Sequence, residues 1–554
     1  MLLATIVCTS APYIFAEPVR IEANGKPIDV TTGHAAPLVY DFDGDGIRDL
    51  LVGEFGSGEF SGPVHTNVEG AHKWNNGRLR FYKNNGTNYD MKLGDWKYVE
   101  AGDEVAVVPI TCCVSFVPQF IDYNNDGIDD IISASYPGDM YAFIGDGEGN
   151  YAKPIHLQNE DGEPLLAWEI IPEKYRKDAK TERQTIHSTT MELHDMDADG
   201  DLDIYVGSRL DGCFTIENKG SRSEPIWSNT TEVLKDINGN AIGGWDWGSN
   251  IHWHDWDGDG ISDVLVGSED GAVRWYRNVG EDTKPQFGEP VLLIPAQTFD
   301  EMFEKLETPA RSGSRCKVHA TDWDGDGVTD LLVGDFGSSW KQVKTLTAKE
   351  ESELEHLDSE RNRISNLAMP LWNMDRDLNA EEKKELNRLD ELLSEIYEKQ
   401  QVLETHTHSS HGWVWLYRQV KNTLIQKQTP HVNIAVMQSS LIQPGKQFGF
   451  SVIFNIEHDW SLSAAGVDAE GLPTTINLSL PDGFTLKQIN WPALNSRGSK
   501  PGYQGQTEVN IELEAPTTLP DDITIELESS WQVCSNTSGL CVRGKAILEW
   551  TANE

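Results

Sequence analysis

Short continuous apolar runs recur along the chain: Leu50-Leu-Val-Gly53, Ile131-Ile-Ser-Ala134, Ile204-Tyr-Val-Gly207, Val264-Leu-Val-Gly267 and Leu331-Leu-Val-Gly334. Four residues rich in β-branched side chains and bounded by polar turns predict buried strands, because a helix needs a longer apolar stripe. After each run comes a glycine and an alternating aromatic stretch: Gly77-Arg-Leu-Arg-Phe-Tyr-Lys-Asn84, Gly138-Asp-Met-Tyr-Ala-Phe143, Gly212-Cys-Phe-Thr-Ile-Glu-Asn218, Gly271-Ala-Val-Arg-Trp-Tyr-Arg-Asn278 and Gly412-Trp-Val-Trp-Leu-Tyr-Arg418. Each repeat reads as an inner strand, a turn, a second and a third strand, with a fourth leading out, which is one propeller blade. Five runs predict about five blades over residues 17–425. Residues 18–28 are expected to supply the outer strand of the last blade and so close the ring.

The pattern changes period between Trp340 and His406. Leu354, Leu357, Ile364 and Leu367 are spaced for one helical face, and Leu386, Leu389, Leu393, Ile396 and Leu403 for another. Asn379 with Glu382 three residues on is a capping box, and Pro370 is expected to separate the arms of a helical hairpin inserted at 345–405. Beyond Pro430 short alternating strands such as residues 448–454 and 524–530 predict an all-β sandwich over residues 431–554. The fold class expected is therefore all-β, with one helical insertion.

Just ahead of each apolar run stands a polar loop with oxygen ligands at positions 1, 3, 5 and 9. These are Asp41, Asp43, Asp45, Asp49; Asp122, Asn124, Asp126, Asp130; Asp195, Asp197, Asp199, Asp203; Asp255, Asp257, Asp259, Asp263; and Asp322, Asp324, Asp326, Asp330. Glycine always fills position 6, where a sharp turn directs the position 7 carbonyl to the same point. Carboxylates this close repel one another unless a hard dication sits among them, and calcium takes six to eight oxygens. Up to five Ca2+ ions are expected. Position 12 is Val52, Ser133, Val206, Val266 and Val333 rather than the bidentate Glu of an EF-hand, and a strand follows instead of a helix.

At 554 residues the chain should hold two or three domains. Its net charge of −44 exceeds what five calcium ions would offset, which disfavours nucleic acid and anionic membrane as partners. Residues 1–16 are apolar and end in Ala16, as a secretory signal does, although without a basic start. No other run approaches the length of a membrane span. Export to the periplasm or the extracellular cell envelope is expected, where millimolar calcium can fill weak sites.

Three residues ahead of the last three loops stand Glu192, His252 and His319. Equivalent strands would present them to a common centre, so they are a candidate transition-metal or ligand site; the alternative is strand histidines hydrogen-bonded in place. His406, His408 and His411 form a second histidine cluster. Cys112 and Cys113 are adjacent, and pairing with Cys213 or Cys316, or a soft metal, is open.

The Asp-loop pattern resembles the FG-GAP or VCBS repeat family over roughly residues 18–420. That resemblance implies the calcium-stapled β-propeller of integrin α-subunits and many secreted bacterial proteins. In the last part, Gly471-Leu-Pro-Thr-Thr-Ile-Asn-Leu-Ser-Leu-Pro-Asp-Gly-Phe484, Ile489-Asn-Trp-Pro492, Tyr503-Gln-Gly505 and Trp531-Gln-Val-Cys534 resemble the amino-terminal periplasmic domain of the thiol:disulfide interchange protein DsbD. This second resemblance implies an immunoglobulin-like sandwich. Its cysteine pair, here Cys534 and Cys541, would pass electrons to thioredoxin-like partners; a permanent staple is the alternative. The expected function is a binding or scaffolding protein of the bacterial cell envelope with a protein or glycan ligand on the propeller. Thiol-disulfide exchange is the second reading, and a propeller-based hydrolase or lyase the third, which lacks a nucleophile elbow, zinc-hydrolase helix or phosphate loop.

Overall fold

The structure is a computed structural model that describes residues 14–30, 33–62, 64–65, 75–110, 114–170, 183–186, 190–195, 198–208, 212–243, 249–281, 284–298, 301, 304–373, 378–420, 425–438, 442–465, 472–494, 502–520 and 523–551. Residues 1–13 of the expected secretory signal, Cys112, Cys113, His187 and Asp197 lie outside the described residues.

Each apolar run is the second strand of an antiparallel sheet. In the first, Ala36–Tyr40, Asp49–Glu54, Asn75–Asn84 and Leu93–Tyr98 pair in order. In the second, Gln119–Ile121, Asp130–Ala134, Met140–Phe143 and Ile155–His156 do the same. The third is built from Thr190–His194, Asp203–Ser208, Gly212–Ile216 and Glu232–Val233. The fourth runs from Ser249–His254 through Asp263–Ser268 and Val273–Tyr276 to Val291–Ile294.

The fifth sheet is assembled from both ends of this region. Ser314–Thr321, Asp330–Gln342 and Val414–Tyr417 pair in order, and Val19–Arg20 completes the edge against Val414–Tyr417. Residues 18–28 therefore divide between two sheets, since Glu22–Ala23 pairs with Leu93–Tyr98 of the first and Lys26–Pro27 pairs with Glu22–Ala23. Ile14–Phe15 pair with Gln419–Val420, and the Phe15 ring lies 6.2 Å from Trp256 and 6.0 Å from Tyr417. Cleavage after Ala16 would remove these contacts.

Why the second strands are apolar throughout is visible in their packing. Leu51 packs with the second sheet, against Ile131 and Phe143, while Leu50 and Val52 pack with Leu332 and Leu416 of the fifth. The same division recurs: Ile132 joins the third sheet, Tyr205 the fourth, Leu265 the fifth. Successive side chains of a strand point to opposite faces, so a strand buried between two neighbours needs apolar residues at every position. The closing glycines serve the same approach. A Cβ on Gly53 would stand 1.6 Å from the Phe116 carbonyl oxygen, on Gly267 2.4 Å from that of Cys316, and on Gly334 2.2 Å from that of Ala35.

The helical insertion leaves the fifth sheet on a ribbon in which Asp330–Gln342 pairs with His406–His411. Helix α1 (Ala348–Trp372) and helix α2 (Ala380–Val402) pack through their own core of Leu357, Ile364, Ala368, Leu389, Leu393, Ile396 and Leu403. The Asn379–Glu382 capping box forms as expected. Pro370 does not separate the arms; it lies inside α1 two residues before its end, where it removes one i→i−4 N–H bond, and Asn373 still donates to the Met369 carbonyl at 3.0 Å. Leu367 is exposed and Ala368 takes its place against α2.

The carboxyl-terminal region is two antiparallel sheets. One orders Ile425–Thr429, Val432–Gln438, Gln447–Ile456, Gln506–Glu514 and Thr485–Asn490; the other contains Thr475–Ser479, Trp460–Ser463, Gly502–Tyr503, Thr524–Ser535 and Cys541–Thr551. Val452, Phe454 and Ile511 of the first share a core with Leu527, Trp531, Val533 and Trp550 of the second. The first sheet takes in Ile425–Thr429, ahead of the boundary expected at residue 431. No helix among the described residues is long and apolar enough to cross a membrane.

Candidate functional site

The described residues of the five Asp loops share the same turn hydrogen bonds, which explain why positions 1, 5 and 6 carry the residues they do. The position 1 carboxylate accepts the position 6 N–H: Gly46 to Asp41 at 2.9 Å, Gly127 to Asp122 at 3.0 Å, Gly200 to Asp195 at 3.2 Å, Gly260 to Asp255 at 2.9 Å and Gly327 to Asp322 at 3.1 Å. The position 5 carboxylate accepts the position 7 N–H at 2.7 to 3.0 Å, for Asp45, Asp126, Asp199, Asp259 and Asp326 alike. These bonds wind the loop tightly enough to require positive φ at position 6, from +80° at Gly327 to +99° at Gly200.

Position 9 has a second role that the loop pattern does not reveal. Asp49, Asp130, Asp203, Asp263 and Asp330 are buried, and each accepts a backbone N–H from the end of the third strand: Asn84 at 2.7 Å, Gly145 at 2.7 Å, Asn218 at 2.8 Å, Asn278 at 2.6 Å and Gln419 at 2.8 Å. Their other oxygens accept the position 2 N–H of Phe42, Tyr123, Trp256 and Trp323. Burial pushes Asp49, Asp130 and Asp263 up to about 6 and Asp330 to about 7. A neighbouring cation would favour the charged form.

Asp41, Asp43 and Asp45 each bring an oxygen within 4.8 Å of the others, as do Asp255, Asp257 and Asp259, and Asp322, Asp324 and Asp330. Asp41 Oδ1, Asp195 Oδ1 and Asp324 Oδ1 are buried with no hydrogen-bond partner. Oxygens so placed fit a bound cation, because a buried acceptor otherwise finds a donor. Basic side chains from the third strand reach three of the loops: Lys83 pairs with Asp43 and Asp45, Arg277 with Asp257 at 2.6 Å and Asp259 at 2.8 Å, and Arg418 with Asp324 at 3.4 Å. In the Asp122 loop, Asn124 Oδ1 accepts the Asp126 N–H at 3.0 Å.

Glu192, His252 and His319 do come together. Glu192 Oε1 lies 2.8 Å from His252 Nδ1, and its Oε2 accepts the Trp253 N–H at 2.9 Å; His252 Nε2 accepts the Ala320 N–H at 3.1 Å. Both ring nitrogens of His252 are thus engaged within the protein. The His319 ring lies 5.1 Å from it, and burial drives the His319 pKa well below its usual value. His411 is engaged likewise, by Asp29 at 2.6 Å and Ser339 at 2.7 Å, while His408 meets Ser338 at 3.0 Å.

Cys534 and Cys541 form a disulfide between directly opposed residues of adjacent strands, with Cα atoms 4.0 Å apart. Cys541 is exposed and opens the edge strand; Cys534 is half-buried and receives the Gln532 side-chain amide at 3.4 Å. Cys213 and Cys316 are free thiols. Of the possibilities the sequence left open, a disulfide from either of them to the adjacent cysteines is not formed: both are buried in their sheets, and burial pushes the Cys213 thiol up to about 12.

A family model for the FG-GAP-like repeat matches residues 255–333, which span the fourth and fifth loops. Residues 437–551 match the family described as thiol:disulfide interchange protein DsbD, N-terminal, and contain the disulfide. No curated protein matches the chain. Among solved structures, the crystal structure of the GAE domain of GGA2p from Saccharomyces cerevisiae is similar at 14% identity and a TM-score of 0.15, over 24% of this chain and 98% of that one.

Proposed function

We propose that this is a calcium-stapled five-bladed propeller joined to an immunoglobulin-like sandwich, acting as an exported binding or scaffolding protein of the cell envelope. The observation that carries the reading is the set of buried, unpartnered carboxylate oxygens on Asp41, Asp195 and Asp324, in loops whose turn hydrogen bonds are already complete. The cyclic packing of the five sheets supports the propeller, with the loops at equivalent corners. Calcium, held by positions 1, 3, 5 and 9 with the position 7 carbonyl, would rigidify those corners. A protein or glycan ligand would then meet a stiff surface at little ordering cost. Calorimetric calcium titration tests this: heat from up to five sites, lost when position 1 is changed to Ala, supports the reading. No calcium heat at millimolar concentration removes it.

Thiol-disulfide exchange is the second reading, favoured by the exposure of Cys541. A partner thiolate would attack Cys541 Sγ, form a mixed disulfide and release Cys534 as thiolate; a second partner thiol would complete reduction of the pair as the partner is oxidised. Peptide mass analysis after alkylation under a graded thiol buffer tests it. A potential far below about −300 mV marks the bond as structural.

A further inference from the structure

Where the first and second sheets meet, a group of metal-binding side chains lies apart from every Asp loop. Asp139 stands just before Met140–Phe143, and His156 ends the neighbouring strand Ile155–His156. His65 arrives from the chain that connects Asp49–Glu54 to Asn75–Asn84 of the first sheet. One ligand atom from each of the three lies within 4.8 Å of the others.

The contacts within the group leave it incomplete. Asp139 Oδ1 accepts the His65 backbone N–H at 2.9 Å and stands 3.5 Å from His156 Nδ1. The Asp139 side chain is 0% exposed, yet its Oδ2 has no hydrogen-bond partner. A buried carboxylate oxygen without a donor costs free energy, and a carboxylate between two imidazoles has an evident way to recover it. The rings of His65 and His156 sit 4.5 Å apart and nearly perpendicular, at 83°. His65 is exposed, so an ion could enter from solvent on that side.

We propose that His65, Asp139 and His156 bind a first-row transition metal of the zinc class, separate from the calcium loops. Two imidazoles and one carboxylate are a mixed nitrogen and oxygen set, which suits zinc or iron and not calcium. Three protein ligands leave at least one coordination position open on the His65 side, for water or a ligand atom. The ion would clamp the first sheet to the second at a seam where Asp139 also bridges to Leu166.

The test uses the full chain in saturating calcium, with Zn2+ titrated by calorimetry and Co2+ as a visible-absorption probe. The expected result is one equivalent more of Zn2+ in the wild type than in His65→Ala or His156→Ala, with calcium stoichiometry unchanged. Asp139→Asn should weaken that site about tenfold or more. Because His65 is exposed, His65→Ala preserves the fold, and its melting temperature without zinc should equal that of the wild type. Equal zinc stoichiometry and the same cobalt spectrum in wild type and His65→Ala would overturn the proposal. So would displacement of the Zn2+ by millimolar calcium.

Discussion

The backbone N–H of Asn278 donates to Asp263 Oδ1 at 2.6 Å, so the end of a third strand is tied to the loop that precedes the second. Asp263→Ala leaves this N–H and that of Trp256 buried without acceptors, at about 1–3 kcal/mol each. Asp263→Ala should therefore lower stability by about 2–6 kcal/mol even with chelator present. Asp259→Asn, which loses only a partly exposed contact to Arg277, should cost under about 1 kcal/mol in chelator and more in calcium. Denaturant melts of both variants check this; equal losses in chelator would contradict the second role of position 9.

Two glycines close in sequence should respond differently to alanine. Gly260 has φ +87° and open space around it, so Gly260→Ala bears only the left-handed penalty of about 1–2 kcal/mol. Gly267→Ala would place a Cβ 2.4 Å from the Cys316 carbonyl oxygen and must push the fourth and fifth sheets apart. The larger loss of melting temperature is expected for Gly267→Ala, and the reverse order would count against the sheet contact.

A half-buried neutral histidine predicts acid sensitivity. Burial, with His252 and His254 nearby, holds the His319 pKa well below its usual value, so the unfolded chain binds more protons once the pH falls below about 6.5. Stability from this group is complete above that pH and is lost as the pH falls toward the folded pKa. In saturating calcium, which on the proposed reading would keep the loop carboxylates ionised, His319→Gln should flatten the acid side of the stability profile by up to about 1.4 kcal/mol per pH unit. An unchanged slope would mean that His319 does not set it.

The disulfide closes a short loop at one edge of the carboxyl-terminal sheets, while their shared core lies elsewhere. Cys534→Ser with Cys541→Ser should cost about 2 kcal/mol by loop-closure entropy and leave calcium binding untouched. Calcium titration of the double variant checks this; altered calcium affinity would show that the two regions are coupled.

Much of this was legible in the sequence because glycine, aspartate and apolar runs each report a local requirement. The apolar runs became strands buried on both faces, Asn379 capped α2, and the loops turned at position 6. The division of residues 18–28 between two sheets was hidden, since Val19 pairs with Leu416 nearly 400 residues away and Ala23 with Leu93 in a different sheet. Pro370 misled because its place in a final turn depends on where the helix ends. The double use of Asp49 and its equivalents was also hidden, because ligand spacing says nothing of third-strand amides. His65 and Asp139 are 74 residues apart, and no local period joins them.

The central claim is that calcium bound at the Asp loops holds the five sheets in place, and thermal unfolding with and without a calcium chelator tests it most directly. The account predicts a melting temperature that rises with free calcium and falls sharply in chelator, with Asp41→Ala and Asp195→Ala each reducing the calcium-dependent part. A melting temperature indifferent to calcium and chelator would contradict it.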